Sequence, residues 1–210
     1  MKKLFFIATA CLAGFAFMNN NDIKTIDLGA SCPMPDEKMQ AVGSSALSLN
    51  DCKADNGLLV IFSCNTCPFV VGDGANSEGW DGRYNQVYDV AQSSKVGMVL
   101  VNSNHAKRDK GDSFEDMVAR KKAKGFKMDY VLDEESALAN AFGAKTTPHV
   151  FLFDKNMKLV YRGSIDDNVA KAAEVKEKYL EDALAQLSKG KKVKKNDTKP
   201  IGCSIKRVAK

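Results

Sequence analysis

Histidine and tryptophan are scarce in this chain of 210 residues, with two of the first and one of the second. A structural zinc site built on a cysteine pair needs a second ligand pair at suitable spacing. The histidines are His105 and His149, and the cysteines outside one close pair are scattered, so that second pair is missing. A strong charge of one sign is missing too. The formal net charge is only +5, and much of it sits at the ends, in Lys2 and Lys3 and in Lys189, Lys191, Lys192, Lys194 and Lys195. Nucleic-acid binding calls for basic residues spread over a folded face with interleaved aromatics, so no nucleic-acid partner is expected and the lysines read as a solvated tail. No motif points to a nucleotide, flavin or haem site, no cofactor is expected, and no internal repeat is apparent.

What is present begins with an export signal. Lys2 and Lys3 precede a charge-free apolar stretch over residues 4–17, which has the length of a signal core and is too short to span a bilayer. Gly14-Phe15-Ala16 offers small residues for a peptidase, so residues 1–16 are expected to be removed and the protein to reach the periplasm or cell envelope. A rival is lipoprotein processing at Cys11, which alone would attach the chain to a membrane. Either route leads to a compartment where disulfides persist. Of Cys11, Cys32, Cys52, Cys64, Cys67 and Cys203, five thiols then remain, so at least one is unpaired or only transiently paired. Cys32 and Cys52 enclose a modest loop and are candidates for a staple.

With 44% hydrophobic and 27% charged residues the rest fits one globular domain, over 22–188, followed by a basic tail over 189–210 that contains Cys203. Strand candidates are residues 23–28 and 46–49 in an irregular entry segment. Gly57 then introduces Leu58-Leu59-Val60-Ile61-Phe62, whose unbroken apolar character predicts a strand buried on both faces. After Pro68 a helix broken by Gly72, Gly74, Gly79 and Gly82 is expected, then a helix over 84–92 and a buried strand over 96–101. Ser113 with Asp116 resembles a capping box for a helix ending at Gly125. A strand over 130–132, a helix over 134–142 and a hairpin of 150–153 with 159–162 follow. Val175, Tyr179, Ala183 and Leu187 mark one face of a last helix. This order, β-α-β-α-β-α-β-β-α, predicts an α/β protein with a mixed sheet between helices.

The chemistry concentrates in Cys64-Asn65-Thr66-Cys67-Pro68, directly after the buried strand. Two cysteines at this spacing at a helix start lie within disulfide reach. Unpaired amides and the helix dipole favour a thiolate on Cys64, which would attack a partner disulfide, with Cys67 turned inward to resolve the mixed disulfide. Pro68 suits the first helical turn. Thr147-Pro148 before the hairpin is where a cis peptide could present the preceding carbonyl and amide to a substrate chain. His149 could approach the cysteines or serve only in its strand.

The run Val60-Ile61-Phe62-Ser63-Cys64-Asn65-Thr66-Cys67-Pro68-Phe69-Val70 resembles the active-site segment of the peroxiredoxin-like (redoxin, AhpC/TSA-type) branch of the thioredoxin superfamily. Asn102-Ser103-Asn104, Ser113 to Met117, Thr147-Pro148-His149, Tyr161-Arg162-Gly163, Ile165-Asp166-Asp167-Asn168 and Pro200-Ile201-Gly202-Cys203-Ser204-Ile205-Lys206 occur in matching order. The resemblance implies a thioredoxin-like fold, Cys64 and Cys67 as the redox pair, and Pro148 as the cis-proline beside them. Two departures stand out. The Pro-x-x-x-Thr/Ser-x-x-Cys pattern of a true peroxiredoxin fits neither cysteine, and the strand before Cys64 lacks the buried acid that many thioredoxins use for proton transfer.

The expectation is an exported thiol–disulfide oxidoreductase acting on protein thiols and disulfides or on a small thiol. One alternative is a thiol peroxidase reducing a peroxide. Another is a copper-binding metallochaperone, whose usual Cys-x-x-x-Cys-Pro is here one residue shorter and for which His149 is the only plausible distant ligand. Cys203 is expected either to pair with Cys64 or Cys67 during turnover or to be a free surface thiol.

Overall fold

A computed structural model describes residues 23–208, so the signal segment and Cys11 lie outside the described residues. The centre is the apolar run introduced by Gly57. Strand β2 (Gly57–Ser63) is buried along its whole length. It runs parallel to β3 (Val96–Asn102) on one side and antiparallel to β6 (His149–Asp154) on the other, which is why both of its faces are apolar. Strand β1 (Gln40–Ala41), β4 (Asp129–Leu132) and β7 (Leu159–Gly163) complete a six-stranded mixed sheet in the order β1-β4-β3-β2-β6-β7. Its alternating side chains feed two cores. One, on the face of Leu59 and Ile61, holds Trp80, Tyr84 and Leu184; the other, on the face of Leu58 and Val60, holds Phe62, Phe142, Phe151 and Phe153 in edge-to-face contacts. Trp80 is a packing residue, its indole N–H donating to Asp166 at 2.8 Å.

Around the sheet lie α1 (Leu49–Cys52), α2 (Pro68–Val71), α3 (Tyr84–Ser93), α4 (Phe114–Lys124), α5 (Ala137–Phe142) and α6 (Tyr179–Ser188). The expected cap is present. Ser113 Oγ accepts from the Asp116 amide, the Asp116 carboxylate accepts from the Ser113 amide, both at 3.0 Å, and Gly125 ends α4 in the left-handed conformation.

Several expectations are corrected. Residues 23–28 form no strand; the Ile26 amide instead donates to the carbonyl of Phe142, the last residue of α5, at 3.1 Å. In 46–49 only Leu47 bridges to Met39, because Ser48 and Asp51 form a capping box that turns Leu49 into α1. Val175 lies before the last helix, which opens at Tyr179. Cys32 and Cys52 are both free thiols whose burial pushes each up to about 12.

The largest correction concerns residues 189–210. Lys189, Lys191, Lys192, Lys194 and Lys195 are exposed as expected, but residues 196–206 form no solvated tail. Asn196 and Thr198 bond along the outer edge of β7 at Arg162, and Cys203–Ser204 forms strand β8. Strand β8 pairs antiparallel with β5 (Thr146–Thr147), with Cys203 opposite Thr147. Apolar anchors explain the order: Val193 and Ile205 are buried on either side of this stretch.

Candidate active site

Strand β2 ends at Ser63 and delivers Cys64 to the edge of the core. The next three residues form a loop, and α2 begins only at Pro68, so Cys67 rather than Cys64 takes the position capping the helix. Opposite stands the loop entering β6, where the Thr147–Pro148 peptide is cis. All five residues singled out from the sequence meet here. The Cys64 thiol and the Thr147 hydroxyl share a hydrogen bond of 3.2 Å. The Cys67 amide donates to Cys64 Sγ at 3.3 Å, and Cys67 Sγ lies 3.1 Å from the Thr147 carbonyl, beside Pro148. The Cys203 amide donates to Cys67 Sγ at 3.4 Å. Cys64 and Cys67 are 2% and 3% exposed; Cys203 is half-buried.

The hydrogen-bond balance favours the thiolate on Cys67 rather than on Cys64, the expected site. Cys67 is held down to about 5, first by the hydrogen bond from the Cys64 thiol, then by those from the Cys203 thiol and amide and from Thr147, against the opposing effect of burial. Burial pushes Cys64 up, and donating its hydrogen to Cys67 and the nearby negative charge of Asp112 push it further. The Thr147 carbonyl can accept only from a protonated Cys67 and so opposes the thiolate. One acceptor stands against several donors, and the balance lowers Cys67 relative to Cys64. A four-residue helix adds little dipole, so the donors carry the effect.

The residue that sequence reasoning missed is Asp112. Fully buried in the loop after β3, it accepts from the Asn65 amide at 2.6 Å and the Thr66 hydroxyl at 2.7 Å, and from the side-chain amides of Asn102 at 2.9 Å and Asn104 at 3.1 Å. Arg108 braces the same loop through the Asn102 carbonyl and side chain and the Asp112 and Asp133 carbonyls. The polar run 102–104 after an apolar strand was the only signal of Asp112 in the sequence. Tyr130 completes the frame by donating to Asn65 Oδ1 at 3.0 Å.

His149 does not join the cysteines. Its Nδ1 accepts from the Lys145 amide at 3.1 Å and its ring lies 4.5 Å from that of Phe151. It lines a separate cavity of about 280 Å³ with Lys24, Lys145 and Arg162. Burial pushes it down to about 3, so it is neutral. His105 sits apart, accepting from the Glu135 amide. Among the described residues no group of three or more His, Cys, Asp or Glu side chains is arranged to hold a metal ion.

A cysteine pair between a buried strand and a short helix, facing a cis-proline loop on a mixed sheet, defines a thioredoxin-like protein of the peroxiredoxin-like kind. Residues 29–178 match the Redoxin family, and the chain belongs to it. Two solved structures cover nearly the whole domain. One is the hypothetical protein SMc02350 from Sinorhizobium meliloti 1021, with 30% identity, 89% of this chain and 98% of that one covered, and a TM-score of 0.78. The other is an uncharacterized conserved protein from Geobacillus kaustophilus, with 29% identity, 87% and 93% covered, and a TM-score of 0.77. The Xanthomonas campestris bacterioferritin comigratory protein shares the fold at 18% identity, with 78% and 99% covered and a TM-score of 0.52. No curated protein matches the chain. The activity that family and fold support in general is that of a thiol oxidoreductase or peroxidase.

Proposed function

We propose that this protein is an exported thiol–disulfide oxidoreductase in which Cys67 attacks and Cys64 resolves. The observation that carries the reading is the placement of Cys64 and Cys67 side by side against the cis Thr147–Pro148 peptide, with the Cys203 amide donating to Cys67 Sγ at 3.4 Å. In the reductive direction the Cys67 thiolate attacks a substrate disulfide and forms a mixed disulfide, and the expelled thiolate takes a proton from solvent. The Cys64 thiol, losing its proton, then attacks Cys67 Sγ. A Cys64–Cys67 disulfide forms and the second substrate thiol leaves. The substrate gains two electrons from the cysteine pair and two protons, one from Cys64 and one from solvent. Asp112 acts as a positioning residue, fixing the Asn65-Thr66 loop that joins the two sulfurs. Export rests on the apolar N-terminal stretch and its small-residue cleavage site.

The low exposure of both sulfurs favours a second reading, peroxide reduction, since a small oxidant enters a narrow site more easily than a protein disulfide. Cys67 would take an oxygen from the peroxide to give a sulfenic acid, and Cys64 would displace it as water with formation of the same disulfide. Copper binding loses its basis because His149, the only distant ligand foreseen, is held in another cavity.

Equilibrating the purified protein in glutathione buffers of graded potential, with peptide mapping of each cysteine and a Cu(I) titration alongside, tests the reading. Reversible formation of the Cys64–Cys67 disulfide at a defined potential is expected. A pair that never cycles, yet binds one copper tightly, would overturn it. Consumption of hydrogen peroxide at a rate matching disulfide formation would select the peroxidase form.

A further inference from the structure

The dithiol mechanism forms no bond to the Cys203 sulfur, although the C-terminal stretch of the described residues places it beside Cys67. The placement is specific. Upstream, Thr198 donates its amide to the Arg162 carbonyl at 3.0 Å, and its hydroxyl oxygen accepts from the Ser164 amide, also at 3.0 Å. Downstream, Ile205 is 1% exposed and its amide donates to the Lys145 carbonyl at 3.0 Å, while the Lys206 amide donates to Asn104 Oδ1 at 2.9 Å. Between these anchors Gly202 lies against the Thr147 carbonyl so closely that a Cβ would come within 2.3 Å of that oxygen. Only glycine permits this approach, and the approach puts Cys203 opposite Thr147 and its amide on Cys67 Sγ.

Two consequences follow. Strand β8 occupies the free backbone edge of β5, so an external peptide cannot pair there while β8 is in place. Cys203 is also the most exposed of the three clustered thiols, so an external thiol meets it before the two buried sulfurs.

We propose that Cys203 is a third redox cysteine, through which the disulfide formed by Cys64 and Cys67 is passed to the surface for reduction by a low-molecular-weight thiol. The proposal rests on the dithiol reading. In the exchange step Cys203 loses its proton to solvent and its thiolate attacks Cys67 Sγ. The Cys64–Cys67 bond breaks, the Cys67–Cys203 bond forms, and Cys64 leaves as a thiolate that takes up a proton, with no net oxidation. An external thiol then attacks Cys203 Sγ and expels Cys67, the better leaving group because its thiolate is the one the site stabilises. A second external thiol releases Cys203. The sum is two thiols oxidised to one disulfide and the protein returned to its dithiol state.

Two measurements on the full mature chain test this, with circular dichroism confirming that each variant is folded. The first treats reduced Cys64→Ser with oxidised glutathione and maps disulfides without reduction. A Cys67–Cys203 disulfide is expected; glutathione held stably on Cys67 with Cys203 free would overturn the proposal while leaving the dithiol reading intact. Cys67 unmodified under all conditions would sink both. The second follows reduction of the oxidised wild type, Cys203→Ser and Gly202→Ala by glutathione. Serine keeps a hydroxyl donor toward Cys67, and the glycine variant keeps all three cysteines but displaces β8. Both are expected to react at least about tenfold more slowly than wild type. Wild-type rates in both would overturn the proposal.

Discussion

Replacing Cys64 by alanine removes the first of the donors that hold charge on Cys67 and leaves the others in place. A hydrogen bond to a charged group contributes about 1.5–3 kcal/mol. At about 1.4 kcal/mol per pKa unit, losing one should raise Cys67 by roughly 1–2 units from its value of about 5. Cys64→Ser, which keeps a donor in the same place, should move it much less. The assay is the ultraviolet absorbance of the thiolate followed against pH, which requires no reagent to reach a sulfur that is only 3% exposed. In the wild type one thiolate should appear in the mildly acidic range, and it should vanish in Cys67→Ser. Because the value is depressed in the fold, the stability that this thiolate contributes is complete above the ordinary thiol value of 9.0 and is lost as pH falls through about 5. A wild-type midpoint near the ordinary thiol value would refute the reasoning. So would an acidic midpoint that survives Cys67→Ser and disappears with Cys64→Ala, since that would return the charge to Cys64.

Asp112→Ala removes a fully buried acceptor from four donors, of which the Asn102 and Asn104 amides are buried and the Asn65 amide and Thr66 hydroxyl part-buried, and should cost roughly 2–4 kcal/mol in urea unfolding, with loss of reversible disulfide formation; a cost below about 1 kcal/mol would show that the loop does not depend on it. Ser113→Ala breaks the capping box of α4 far from the sulfurs, so about 1 kcal/mol of stability should be lost while the thiolate midpoint stays in place. His149 is neutral in the fold, down at about 3, and ordinary at 6.5 in the unfolded chain. Between these values the unfolded chain binds a proton that the fold excludes, so stability should fall as pH drops from 6.5 toward 3, by about 1.4 kcal/mol per pH unit. Urea midpoints measured across that range should show the slope in the wild type and a flatter line in His149→Gln.

Where a feature depends on neighbours in the chain, the sequence by itself determined it. The apolar run after Gly57 had to be a central strand, because no solvent-facing strand could hold five such residues in a row. Ser113, Asp116 and Gly125 bound their helix by contacts within a few residues of each other, and the cysteine pair had to follow the strand that carries it. Tertiary structure decided the rest. Which sulfur holds the charge depends on donors from residues 64, 147 and 203, which only the folded sheet brings to Cys67. Asp112 reaches the Asn65-Thr66 loop from the loop after β3, forty-odd positions along the chain, and only the polar run 102–104 hints at it in the sequence. The C-terminal lysines suggested a solvated tail, and composition was correct about those side chains. Composition could not show that the backbone beyond them has an unpaired strand edge at Thr146–Thr147 to complete, or that Gly202 lacks the one carbon that would keep it away.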